Sequence, residues 1–117
     1  MKVIINDIEV IHTKVPLKKG YKLSKAYDVI QTTEPIFVKI HTDDGITGIG
    51  ETDPMAHFTE EVAETIMVII KKYIGPAVMG KNPLESASIH ETMDCCIKGN
   101  FLAKAAIDMA CYDIAGK

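Results

Sequence analysis

Along the first half of the chain apolar and polar residues alternate, and along the second half apolar residues recur at helical spacing. The alternation is cleanest after Pro35, where Ile36, Val38, Ile40 and Thr42 share one face and Phe37, Lys39 and His41 the other. This predicts a strand with one buried face. Residues 2–13 are likewise β-branched and apolar, with Ile4, Ile8 and Val10 on one parity and a bulge expected at the polar pair Asn6-Asp7. Asp43-Asp44-Gly45 supplies the residues of a tight turn. Residues 46–52 then return as a strand in which Gly48 and Gly50 leave room for another backbone or side chain. The first half therefore reads as a three-stranded antiparallel meander.

Three helices are predicted to follow. Thr59 caps the first, Glu60 and Glu61 face its positive end, and Val62, Ile66, Ile69, Ile70 and Tyr73 form its stripe until Gly75-Pro76 ends it. Pro83 opens the second, whose stripe is Ile89, Met93, Cys96 and Ile97. The third starts near Asn100 and runs to Ala115, with Gly116 as C-cap. It is apolar nearly all round. Only Lys104, Asp108 and Asp113 are charged, and Lys104 with Asp108 reads as a structural i, i+4 pair. A small sheet and two helices can cover one side of such a helix, so a partner subunit or a further stretch of the same polypeptide is expected on the rest.

Composition narrows the function classes. The 117 residues are 47% hydrophobic and 25% charged, enough for one globular domain. Thirteen lysines, no arginine and sixteen acidic residues give a net charge of −3, which argues against nucleic acid as a partner. The longest apolar run, Ile66 to Ile70, is far too short to cross a bilayer, and no basic-then-apolar leader is visible. A cytoplasmic protein without membrane contact is expected. Cys95, Cys96 and Cys111 are an odd set unsuited to a disulfide framework, and His12, His41, His57 and His90 have no zinc-motif spacing. Residues 14–34 carry five of the lysines, Lys14, Lys18, Lys19, Lys22 and Lys25. This segment reads either as a solvated hairpin loop or as a lid whose cations favour an anionic substrate.

Four phrases in order, MKVIINDIEVIHTKVPLK, PIFVKIHTDDGITGIGET, YIGPAVMGKNP and AKAAIDMACYDIAGK, resemble the N-terminal domain of the muconate lactonizing enzyme and mandelate racemase branch of the enolase superfamily. The resemblance spans nearly the whole chain and is strongest at the last phrase. It implies an α+β capping domain over residues 1–117 that, in the complete enzyme, packs on a (β/α)-barrel and closes its active site. In that superfamily a Lys or His base removes a proton beside a carboxylate while Mg²⁺ offsets the charge that develops. The barrel holds these groups, so the resemblance implies neither catalytic residues nor metal ligands in this chain.

Its implied contribution is specificity through two loops, residues 15–27 and 52–58, with Tyr21, Leu23, Met55 and His57 as candidate substrate contacts. Glu51 and Asp53 lie together at a strand exit without a third ligand. The implied partners are the chain's own C-terminal barrel, a small carboxylate substrate and further copies in a homo-oligomer. The final phrase favours a racemase, epimerase or cycloisomerase over a sugar-acid dehydratase, and racemisation or epimerisation of an amino-acid derivative most of all. Cys111-Tyr112 departs from the Leu-Trp pair that members often carry, and neither loop holds an arginine. The rival reading is a non-enzymatic α+β assembly module whose last helix mediates association.

Overall fold

Residues 3–21 and 30–117 are described in a computed structural model, with side chains described over 3–17 and 32–117. The described residues form strands β1 (Ile5–His12), β2 (Val15–Tyr21), β3 (Ile30–Thr33), β4 (Ile36–Thr42) and β5 (Thr47–Thr52). Helices α1 (Ala63–Ile69), α2 (Gly75–Val78), α3 (Ser86–Cys96) and α4 (Phe101–Ala115) follow. The fold is α+β, as the sequence predicts. The meander forms one antiparallel sheet in the order β1-β4-β5, and β2-β3 is a separate hairpin inserted between its first two strands. A long loop does not describe residues 14–34 adequately. The β1–β4 ladder reaches His12 opposite Ile36, and the β2–β3 ladder begins at Val15 opposite Thr33. Pro35 lies between them with no N–H to give, and its carbonyl accepts from the Thr13 N–H at 3.2 Å and the Thr13 hydroxyl at 2.8 Å.

The core lies between this sheet and the helices. β4 alternates without error: Ile36, Val38 and Ile40 are fully buried, while Phe37, Lys39 and His41 are half-buried on the outer face. In β1 the pairing slips between Ile5, opposite Thr42, and Asp7, opposite His41, so Asn6 is the extra residue of a bulge. The bulge is where the sequence places it, and it changes the parity. Val3 and Ile5 are buried before it and Ile8 and Val10 pack on the core after it, so Ile5 rather than Ile4 shares their face. The 43–45 turn closes β4 onto β5 with Gly45 at φ +86°, where L side chains are strained. Asp44 accepts from the Thr42 hydroxyl and the Ile46 N–H, and these bonds hold its carboxyl below the usual carboxylate range.

Gly48 and Gly50 perform the role their size suggests. A Cβ on Gly48 would stand 2.1 Å from the Ala110 carbonyl oxygen, and one on Gly50 would stand 2.0 Å from that of Ala106. α4 thus lies directly against the β5 backbone, with Ala103, Ala106, Ile107, Ala110 and Ile114 buried.

Several expectations about the helices change. Tyr73 is 49% exposed and Ile74 is buried in its place, and Pro83 does not open α3, which starts at Ser86. Thr59 does not cap α1: its hydroxyl binds the Met55 carbonyl at 3.0 Å and the Glu61 carbonyl at 2.6 Å, and α1 starts after Val62. Gly75-Pro76 does not end the helical run. Residues Ile70–Ile74 form a π turn, the Gly75 N–H bonds to the Ile70 carbonyl, and α2 continues to Val78. Widening the turn moves the ladder from i−4 to i−5, which lets the chain pass the proline ring without stopping. Lys104 and Asp108 do not pair with each other. Lys104, 8% exposed, binds Asp94 at 2.9 Å and the Ile97 carbonyl at 2.7 Å, while Asp108 binds His90 at 2.6 Å. The charged strip of α4 therefore faces α3, where partners offset its desolvation. Phe101, Met109 and Tyr112 are the large apolar residues of α4 left exposed, and Leu102 is half-buried.

Candidate functional site

Strand direction decides where the two expected specificity segments lie. His12 pairs with Ile36, and Ile36 pairs with Thr52, so β1 ends, β4 begins and β5 ends at one edge of the sheet. The β2–β3 hairpin and the loop after β5 consequently leave the sheet at the same end. The 43–45 turn closes the opposite end. Two segments distant in sequence thus start side by side.

The loop after β5 is built on Pro54, which is buried, and on Thr59. The Thr59 hydroxyl accepts from the Met55 N–H at 3.1 Å, and the Met55 carbonyl accepts from the N–H groups of Phe58 at 2.8 Å and Thr59 at 2.7 Å. This knot leaves Met55 half-buried and turns Ala56, His57 and Phe58 outward, with Phe58 68% exposed. Met55 and His57 therefore belong to one short protrusion. On the hairpin, Tyr21 sits in β2 with its backbone opposite Ile30, and its side chain lies outside the described residues. Leu23 and residues 22–27 lie outside them altogether. His12 binds Glu34 at 3.0 Å where the hairpin joins the sheet.

Glu61 has a use that its place in the sequence conceals. It lies before α1, but its two carboxylate oxygens accept the N–H groups of Leu102 at 2.7 Å and Ala103 at 3.0 Å at the start of α4. Asn100, the residue before α4, has a left-handed backbone and makes no side-chain cap. The carboxylate supplies both the missing acceptor and the negative charge that a helix start favours. The same contact fixes the far end of the 53–62 loop. Its carboxylate is therefore structural.

Glu51 and Asp53 are both exposed, and among the described residues they belong to no group of three clustered donors. No helix among the described residues is long and apolar enough to cross a membrane.

A small antiparallel sheet, a hairpin inserted after its first strand and a helical layer on one face together define an α+β domain. Over residues 7–117 the chain matches the model of the mandelate racemase / muconate lactonizing enzyme N-terminal domain, and it belongs to that family. The N-succinyl-L-Arg/Lys racemase of Bacillus cereus is 39% identical over 113 residues, covering 97% of this chain and 30% of the relative. The L-Ala-D/L-Glu epimerase of Clostridium acetobutylicum is 37% identical over 114 residues, covering 97% and 31%. The crystal structure of the Bacillus cereus racemase superposes with a TM-score of 0.89 at 38% identity, over 99% of this chain and 30% of that one. A dipeptide epimerase of Enterococcus faecalis, solved with Mg and the dipeptide L-Leu-L-Tyr, gives 0.87 at 34% identity over 99% and 31%. The chain thus spans about 30% of the length of these relatives.

Proposed function

We propose that this chain caps the active site of a Mg²⁺-dependent racemase or epimerase acting on an amino-acid derivative, and that it sets substrate preference without supplying a catalytic group. The observation that carries the proposal is the common origin of the β2–β3 hairpin and the 53–62 loop at one end of the sheet. The 39% and 37% identities to a racemase and an epimerase support this reaction class over cycloisomerisation, for which two chloromuconate cycloisomerases are 32% and 28% identical. The partner is a C-terminal barrel domain of the same polypeptide, and the complete enzyme is a cytoplasmic homo-oligomer.

Held by the barrel, Mg²⁺ offsets the second negative charge that develops when a proton leaves the carbon beside a carboxylate. The residues of this chain orient and enclose the substrate. Met55 and His57 on the short protrusion, together with Tyr21 and Leu23, are the substrate contacts, and the lysines of residues 14–25 favour the anionic end of the substrate.

The test compares variants of the complete enzyme. Tyr21→Ala, Leu23→Ala, Met55→Ala and His57→Ala change the ratio of kcat/KM between substrates that differ in side chain, and α-proton exchange persists. The 117-residue chain alone, given Mg²⁺, exchanges no α-proton. Equal losses on every substrate, or exchange by the chain alone, would overturn the proposal.

A further inference from the structure

The outer face of the sheet, away from the helices, carries a group of donors that no motif spacing announces. Asp7 lies directly opposite His41 in the β1–β4 ladder, and Glu9 is two residues further along the same face. One ligand atom from each of Asp7, Glu9 and His41 lies within 4.8 Å of the others. This convergence depends on the bulge at Asn6. Without the extra residue, Asp7 and Glu9 would point into the core and Ile8 and Val10 would point outward.

Two further features make the group more than a chance meeting of surface charges. The imidazole is held from behind, because the Thr47 hydroxyl on β5 lies 3.0 Å from Nδ1 while Nε2 faces the carboxylates, 2.6 Å from Glu9. Metal-binding histidines are commonly fixed in this way through the nitrogen that does not ligate. In addition, the Asp7 side chain has no hydrogen bond or ion pair among the described residues, and the one cation of this face opposite the group, Lys39 across from Glu9, makes no ion pair with either carboxylate.

We infer that Asp7, Glu9 and His41 form a binding site for a first-row divalent cation of the zinc, cobalt or nickel type. One imidazole nitrogen and two carboxylate oxygens suit such an ion better than Mg²⁺, which prefers an all-oxygen shell. Water completes the coordination. In the bound form Thr47 is a positioning residue: its hydroxyl accepts from Nδ1–H and keeps the Nε2 lone pair on the metal side. The ion displaces the Nε2–H···Glu9 contact and takes its place between the two side chains. The inference is independent of the role proposed above.

The test is titration of the tag-free full chain with Zn²⁺ by calorimetry and with Co²⁺ by visible absorption. One equivalent binds, and millimolar Mg²⁺ does not displace it. His41→Gln and Glu9→Gln each abolish the stoichiometric site while the far-UV circular dichroism is unchanged. Thr47→Val weakens it about tenfold, the scale of a lost supporting contact. A Cys95→Ser/Cys96→Ser double variant binds as the parent does. Absence of a stoichiometric site in the parent, its survival in both His41→Gln and Glu9→Gln, or its loss in the cysteine variant would overturn the assignment.

Discussion

α4 meets β5 where side chains are missing, with Gly48 and Gly50 under the carbonyls of Ala110 and Ala106, whereas residues 63–78 meet the sheet through large side chains. Ile66, Ile70 and Ile74 are fully buried in the core they share with Ile36, Val38 and Ile40. The first contact is set by backbone distance and the second by volume. Rigid backbone cannot yield to an added methyl group, but a core of isoleucines can partly close around a lost one. The seam between α4 and β5 should therefore be the less tolerant of the two. It also carries the loop exit toward the candidate site, since Glu61 ties the 53–62 segment to the start of α4.

Breaking the seam should have the largest effect. Gly50→Val places a branched side chain into the Ala106 carbonyl, and a loss of stability beyond about 4 kcal/mol is expected, read by urea unfolding. Ile66→Ala probes the other contact and should cost roughly 2–5 kcal/mol with the fold retained. If Ile66→Ala proved the more damaging, the contrast between the two contacts would be reversed.

Glu61→Ala sharpens the comparison from the loop side. It removes an ionised acceptor from two N–H groups and should cost about 1–2 kcal/mol, with faster amide exchange at Leu102 and Ala103. No such change is expected from Glu60→Ala, whose side chain is exposed.

The smallest effects are those of pH. Asp113 accepts from the Ile49 N–H at 2.9 Å and pairs with Lys117 at 3.1 Å, and these contacts, the backbone bond foremost, hold its carboxyl below the usual range. A folded pKa below the unfolded one favours the folded state above the unfolded value, and the benefit is lost as pH falls through the folded value. Asp113→Asn should therefore flatten the acid limb of the stability profile. Cys111 acts in the opposite direction. Burial, with Asp108 nearby, pushes its thiol up to about 12, so stability falls as pH rises from the ordinary thiol range toward that value. At pH 8 the exposed Cys95 should react with a thiol reagent while Cys111 waits for unfolding.

What could be read from the sequence was what depends on one strand or one helix at a time. β4 shows its buried face directly in its alternation, Asn6 marks the bulge, and Gly48 and Gly50 declare a close approach before the approaching helix is known. Pairings between elements were not legible. Lys104 and Asp108 stand at the ideal spacing for each other, yet α3 offers each a partner, and no local pattern reveals which choice the packing favours. Glu61 looks like a charge for its own helix because the helix it caps begins 40 residues later. Pro76 looks like a stop because a π turn leaves no compositional mark. Met55 and His57 are named from the family resemblance of the loop after β5, and the shared exit of that loop and the β2–β3 hairpin required the register of β1, β4 and β5.

The claim that this domain selects the substrate and leaves the chemistry to its barrel is tested most directly by exchange of domains. Residues 1–117 would replace the corresponding N-terminal domain of the Bacillus cereus racemase, and kcat/KM would be measured across N-succinyl amino acids and dipeptides. The account predicts an active chimera whose preference ratio moves by about tenfold or more, ~1.4 kcal/mol in relative transition-state binding, with α-proton exchange retained. A folded, active chimera with the parent's preferences unchanged would contradict it.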